Sequence, residues 1–256
     1  MVDLAQPSTK GMIEFVRRIS AFSAFQHSVL STRDLADAIA VSRPTAHRII
    51  ASFEENDLVA RVEGGYQLTG FGMIIGDAAG SFQEEISKAY LLKPLLLNVP
   101  PEVDLDIDIF ADARVTNARH DNPLGPLKRF VEQFEGAKQI KAFNRSYLEP
   151  MYIHLAQEQI SNGMEVDIIY ESRVIELIIE EFPEFVNGSL SADNVTATVR
   201  NDLPFGMALF ENEIGLGIYT ELIGTPIAWI DTDNPDAVAW GEQLFKQHKA
   251  DATLLT

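Results

Sequence analysis

The chain has 256 residues, 46% of them hydrophobic, and its 38 acidic against 20 basic side chains give a formal net charge of −18. That length allows one large domain or two smaller ones, with enough apolar material for a buried core. No apolar run reaches the roughly 18 residues a membrane helix needs, no secretory signal opens the chain, and the lack of cysteine removes disulfides, thiol chemistry and cysteine-held metal. A cytoplasmic location is therefore expected, with no membrane partner.

The first element in order is a helix over Lys10–His27, with Met12, Ile13, Phe15, Val16, Ile19, Phe22 and Phe25 as a broad apolar face. Thr32–Ala40 follows as a second helix with its own stripe, Leu35, Ala36 and Ile39, capped by Ser31 or Thr32. Ala40-Val41-Ser42 leaves only a tight turn before a third helix, as a helix-turn-helix demands. Ser42 is a good N-cap and Pro44 fits the first turn, where its missing N–H costs nothing. Ala46, Ile49, Ile50 and Phe53 then recur at i, i+3, i+4 and i+7. The opposite face carries Pro44, His47, Arg48 and Ala51, with Arg43 and Thr45 on its flanks. Asn56-Asp57 stops the helix, Leu58–Val62 reads as a strand, Gly64-Gly65 as a hairpin turn and Tyr66–Leu68 as the returning strand. Residues 1–69 are thus a winged helix-turn-helix.

A helix inserted into a DNA groove needs small residues for close approach, Arg or His for phosphates and base edges, and an N-terminus aimed at anions. The helix over 42–55 meets these needs at its N-terminal half. The candidate DNA-binding residues are Arg43, Thr45, His47 and Arg48 for the major groove, Ser42 and Pro44 for its edge, and Arg61 of the wing for the backbone. The expected partner is double-stranded DNA. The alternative is a winged-helix protein-interaction module that acts on the transcription machinery without touching DNA.

The net charge argues for that alternative at first sight, because phosphate contacts dominate affinity for DNA. Its distribution points the other way. Residues 1–75 carry seven Lys/Arg against eight Asp/Glu, and the other 181 carry 13 against 30. Lysine is scarce, at 8 against 12 Arg. An acidic, lysine-poor surface suits concentrated salt, where screening acts over roughly 3 Å at 1 M, so a halophilic source is expected.

Thr69 caps a long helix from Gly70 to about Leu97, in which Gly72, Gly76 and Gly80 recur on one side and permit close helix approach. Residues 70–98 are read as a linker and dimerisation helix of a homodimer, and 99–256 as a regulatory domain. In the latter, strands are expected over Leu105–Phe110, Ala113–Ala118, Lys138–Phe143, Met164–Tyr170, Val195–Arg200, Gly206–Phe210, Ile214–Tyr219 and Thr225–Ile230. Helices are expected from Asp121 to Gly136, Leu148 to Asn162 and Arg173 to Val186, with a break near Pro183. Asp233-Asn234-Pro235 caps a last helix running to Lys249. The fold class is α+β or α/β: an N-terminal winged helix-turn-helix, a linker helix and a C-terminal mixed α/β sheet domain.

The sequence carries no recognisable catalytic motif. There is no GxxxxGK[ST], strand-linked GxGxxG, HExxH or GxSxG, and His27, His47, His120, His154 and His248 are scattered. No cofactor, metal or catalytic set is expected, and the chain reads as a non-enzyme. An effector pocket is placed at strand ends, where ligands of open α/β sheets lie: Tyr170, Glu171, Ser172 and Arg173 after one strand, Arg200 after another.

The succession VSRPTAHRIIASFEENDLV and GGYQLT, followed by MEVDIIYES, LPFGMALFEN, IGLGIYTE and AWIDTDNPDAVAWGEQLF, resembles a family of archaeal, especially haloarchaeal, transcriptional regulators. The C-terminal domain of that family is similar to the middle domain of a methanogenesis regulatory protein, and its layout is like that of the sugar-sensing TrmB-type regulators. The resemblance covers nearly the whole chain. It implies a transcription factor whose second domain senses a small-molecule effector or mediates assembly.

Overall fold

The computed structural model describes residues 9–146, 150–219 and 225–255. They fall into two compact units that divide between Ser87 and Lys88.

The first unit opens with α1 (Thr9–Arg17) and α2 (Ile19–Phe25), so the single helix expected over Lys10–His27 is two. The break is at Arg18, whose backbone leaves the helical region at φ −108° and ψ 13°. Its guanidinium reaches back to Glu14, with Nε donating to Oε1 at 2.9 Å. α3 (Thr32–Ala38) starts on a reciprocal capping box between Ser31 and Asp34. It stops two residues sooner than expected because Ala40 takes a left-handed φ of +52°. α4 (Arg43–Glu55) then follows.

Strands β1 (Val59–Val62) and β2 (Gly65–Leu68) form the wing, in register Val59 to Leu68, with Gly64 at φ +91° turning the hairpin. A bridge between Leu30 and Tyr66 ties the wing to the segment before α3. Phe22, Phe25, Leu35, Ile49, Ile50, Phe53 and Leu58 fill the core beneath, and the rings of Phe22 and Phe53 sit 4.6 Å apart.

Helix α5 (Gly70–Leu91) follows the wing directly. The Thr69 hydroxyl accepts from the Gly72 N–H at 2.9 Å and donates to the Asp57 carbonyl at 2.6 Å, which seats its first turn. A Cβ on Gly72 would lie 1.9 Å from the Leu58 carbonyl oxygen, one on Gly76 3.0 Å from the Phe22 ring, and one on Gly80 would meet nothing within 4 Å. Two glycines of the repeat therefore let α5 settle on its own winged helix.

The long helix expected to reach Leu97 breaks at Leu92, and a short α6 (Lys93–Leu96) follows. Leu92 and Leu95 are buried in the core of the second unit. The stretch from 88 to 98, expected in the linker, therefore belongs with that unit.

The second unit is an eight-stranded mixed sheet with helices on both faces. In chain order it contains β3 (Arg114–Asn117), α7 (Gly125–Glu135), β4 (Gln139–Asn144), α8 (Pro150–Ser161), β5 (Glu165–Tyr170), α9 (Ser172–Glu181) and α10 (Pro183–Gly188). Then come β6 (Val195–Val199), β7 (Gly206–Leu209), β8 (Ile214–Ile218), β9 (Ala228–Thr232), α11 (Pro235–Ala250) and β10 (Thr253–Leu254). The strand order is β10-β6-β5-β4-β7-β8-β9-β3. The three strands β6, β5 and β4 run parallel through helical crossovers, and the remaining pairings are antiparallel.

Three expectations shift. Leu105–Phe110 alternates like a strand but closes into a 3-10 turn over Ile107–Phe110, because the Asp106 carboxylate accepts the Asp108 N–H at 2.9 Å and Phe110 turns fully inward. The helix expected from Asp121 begins only at Gly125, since Arg119 and Asn122 pair across a tight turn. The strand expected over Thr225–Ile230 runs over Ala228–Thr232 instead. The expected start of the α8 helix at Leu148 lies outside the described residues.

One face of the sheet carries Phe143, Ile169, Met207, Leu209, Ile214, Leu216 and Ile230 under Leu244 and Phe245 of α11. The other carries Ile140, Ala142, Val166, Tyr170, Ala208 and Trp229 under α7, α8, α9 and α10.

Candidate nucleic-acid interface and a cavity in the second unit

The geometry of α4 follows from its cap and its stripe. Ser42 takes the extended N-cap conformation and its Oγ accepts the Thr45 N–H at 3.3 Å. The same Oγ lies 2.9 Å from Thr45 Oγ1, which accepts from Arg48 Nη2 at 3.4 Å. Burial of Ala46, Ile49, Ile50 and Phe53 then rotates Arg43, Pro44, His47 and Arg48 outward, and all four are exposed. Six of the seven residues expected at DNA are thus gathered on the N-terminal half of one helix, where the helix dipole favours an anion. Arg61 is exposed on β1 of the wing.

Many cations of the chain are engaged by the surrounding acid: Arg18 with Glu14, Arg129 with Asp231, Lys141 with Glu242, Arg145 with Glu171, Arg200 with Asp251 and Lys249 with Asp167. Among the described residues, Arg43, Arg48 and Arg61 enter no such pair, a property they share with Arg17, Lys93, Arg114, Lys128, Lys138 and Arg173. In a chain with nearly two acids per base, cations left uncommitted on one helix face are available to an outside anion.

The five residues expected around an effector separate. Glu171 is the N-cap residue of α9 and faces Arg145 at 3.6 Å, with burial pushing its carboxyl above the ordinary range. Ser172 and Arg173 open α9. Arg200 is tied to Asp251 and to the His248 carbonyl, both at 3.0 Å. His248 itself has a buried, unpartnered Nδ1, and burial, then Arg200, hold its imidazole below the ordinary value of 6.5. Of the five, only Tyr170 lines the cavity of the second unit.

That cavity, about 120 Å³, lies between the sheet and α7–α10. Its floor is Ala142, Ile168, Tyr170, Ala208 and Gly206, and its walls include Phe130, Phe134, Tyr152, Ile153, Ile178, Phe185, Tyr219 and Trp229. Glycines on the sheet shape it. A Cβ on Gly215 would fall 2.1 Å from Trp229 Cζ2, and Cβ atoms on Gly206 and Gly217 would fall 2.7 and 2.9 Å from Tyr219 Cε2. The two rings therefore lie across ground where side chains would otherwise stand. The sequence carries this signal as Gly206, Gly215 and Gly217, but their spacing fits no phosphate loop and so points to no ligand by itself.

Residues 123–251 match the family described as methanogenesis regulatory protein FilR1, middle domain, and residues 8–90 match the one described as HVO_A0261 N-terminal domain. The chain belongs to the FilR1 middle-domain family. The methanogenesis regulatory protein FilR1 of Methanothrix harundinacea (strain 6Ac) is 20% identical, over 92% of this chain and 57% of that protein. The chain thus spans little more than half the length of that relative. Among solved structures, TrmBL2, an archaeal chromatin protein, aligns with 95% of this chain and 100% of its own at 11% identity and a TM-score of 0.44. NucT from Helicobacter pylori aligns with 56% of this chain and 98% of its own at 10% identity and a TM-score of 0.46. The FilR1 middle-domain match covers α7 to α11, the elements that enclose the cavity, and the N-terminal match covers the winged helix.

Proposed function

We propose that this member of the FilR1 middle-domain family is a DNA-binding transcriptional regulator that places α4 in the major groove, with Arg61 of the wing on the backbone. The observation that carries the reading is the exposed face of Arg43, His47 and Arg48, beside the half-buried Thr45; its two arginines are free of ion pairs among the described residues. The FilR1 relative, a regulatory protein by name, supports it. The second unit binds a small effector or mediates assembly, and the working form is a homodimer.

Fluorescence anisotropy with the protein's own promoter DNA tests the reading. Each direct contact by an arginine is worth about 1–3 kcal/mol. Replacing Arg43 and Arg48 together by alanine should therefore weaken binding by at least about 30-fold, while Arg17→Ala, on α1, leaves it unchanged. Equal affinity of the double variant and the parent protein sinks the assignment and favours a protein-interaction module.

A further inference from the structure

The cavity of the second unit has a chemistry that selects among effectors. Its lining is mainly apolar and, among the described residues, includes no Asp, Glu, Lys, Arg or His. A charged ligand would lose its hydration there with nothing to replace it. A sugar would bring a hydroxyl on nearly every carbon to a surface whose polar side chains are Asn144, Tyr152, Tyr170, Tyr219 and Trp229. The Trp229 Nε1 is already spent on Gln133 Oε1 at 2.7 Å.

Among the described residues, three polar side chains of the lining remain to be satisfied, Asn144, Tyr170 and Tyr219. Among the described residues, the hydroxyls of Tyr170 and Tyr219 have no hydrogen-bond partner, although Tyr170 is 3% exposed. A phenol that lines an apolar cavity without a partner is free to donate to or accept from a ligand's oxygen. Burial pushes both phenols well above their ordinary range. The walls are aromatic, with the Phe130 ring edge-on to Trp229 at 5.2 Å and tilted against Phe134 at 5.6 Å. A dry apolar cavity of roughly 150 Å³ is known to admit benzene, and this one is about 120 Å³.

We infer that the cavity takes a neutral, single-ring aromatic compound bearing one hydrogen-bonding oxygen, its ring among Phe130, Phe134 and Trp229 and its oxygen meeting Tyr170 and Tyr219. The inference rests on the reading of the second unit as the effector-binding part and names the ligand class for it. The described lining disfavours sugars and carboxylates.

The test is calorimetry and thermal unfolding of the full chain with four probes: benzaldehyde, toluene, benzoate and maltose. Benzaldehyde near 100 times its Kd should raise Tm by about 5 °C or more, toluene should bind more weakly, and benzoate and maltose should do nothing. The variant Tyr170→Phe/Tyr219→Phe keeps both rings and the fold. It should lose about 3- to 10-fold in benzaldehyde affinity per hydroxyl and leave toluene affinity as it was. Maltose or benzoate binding while the aromatic probes fail, or an equal loss for toluene and benzaldehyde in the variant, overturns the inference. Promoter affinity measured with and without benzaldehyde separates ligand class from sensing: aromatic binding that leaves DNA affinity untouched upholds the ligand class and ends the sensing reading.

Discussion

Asp231 is 5% exposed and receives two donors from Arg129, Nε at 3.1 Å and Nη2 at 2.7 Å. The pairing joins α7 to β9, 102 positions apart, and raises the guanidinium pKa above its ordinary value through the hydrogen bonds to Asp231. Because Arg129 is only partly covered, its loss of partner is softened by water, and Asp231→Ala should cost about 1–3 kcal/mol in urea unfolding, below the full cost of breaking a buried pair. The sequence presented Asp231 inside a recognisable run, Asp231-Thr232-Asp233, yet offered no means of finding its partner. Gly215 was equally legible as a residue and illegible as a role. Gly215→Ala must displace the Trp229 ring and should lower stability by about 1–3 kcal/mol, read by the same unfolding experiment. His248 supplies a pH dependence. Its folded pKa is depressed from 6.5, so the unfolded chain binds the extra proton first. Its contribution to stability is complete above 6.5 and is lost as pH falls through the depressed value. Denaturant midpoints of His248→Phe should therefore fall less between pH 7 and pH 5 than those of the parent.

At the scale of elements, α4 shows why a cap and a stripe were enough. Ser42 sets where the helix begins and four buried positions set which face turns out, both through contacts within a few turns of chain. Helix α5 is different. Two of its glycines, Gly72 and Gly76, are spent on Leu58 and Phe22, while Phe71, Ile74, Phe82 and Ile86 remain exposed along one side, Ile74 at 69%. An apolar row of this kind is costly to leave in water, and we propose it as the face that a second copy would cover in the homodimer. Ile74→Glu with Phe82→Glu should turn the dimer into a monomer in sedimentation equilibrium; an unaltered mass removes α5 from the interface. The failure over Leu105–Phe110 belongs to this scale too. Alternation of apolar and acidic residues satisfies a strand and a 3-10 turn alike, and the Asp106 side chain decided between them by capping the Asp108 N–H.

Across the whole molecule, charge has the widest reach. A net charge of −18 repels both itself and DNA. Among the described residues, Arg43, Arg48 and Arg61 of the first unit enter no ion pair, and neither do Arg114, Lys128 and Arg173 of the second. In the proposed complex Arg43, Arg48 and Arg61 would bring at most about three cations to the phosphates, so the slope of log affinity against log salt should be no steeper than about −3 per protomer. A steeper slope in salt titrations means that other cations take part. Screening of the acidic surface should also raise Tm as KCl increases toward molar concentrations, which differential scanning calorimetry will show.

The amino-acid sequence by itself determined the winged helix, its outward basic face, the mixed sheet and most helix starts, because these depend on periodicity, caps and turns read within some ten to twenty residues. Only the tertiary structure decided that the 88–98 stretch packs into the second core, that Gly206, Gly215 and Gly217 make room for Tyr219 and Trp229, and that an apolar cavity takes in Tyr170 and leaves Glu171, Ser172, Arg173 and Arg200 outside its lining. Those outcomes depend on which strands become neighbours, and β4 lies between β5 and β7 through pairings that no local pattern encodes.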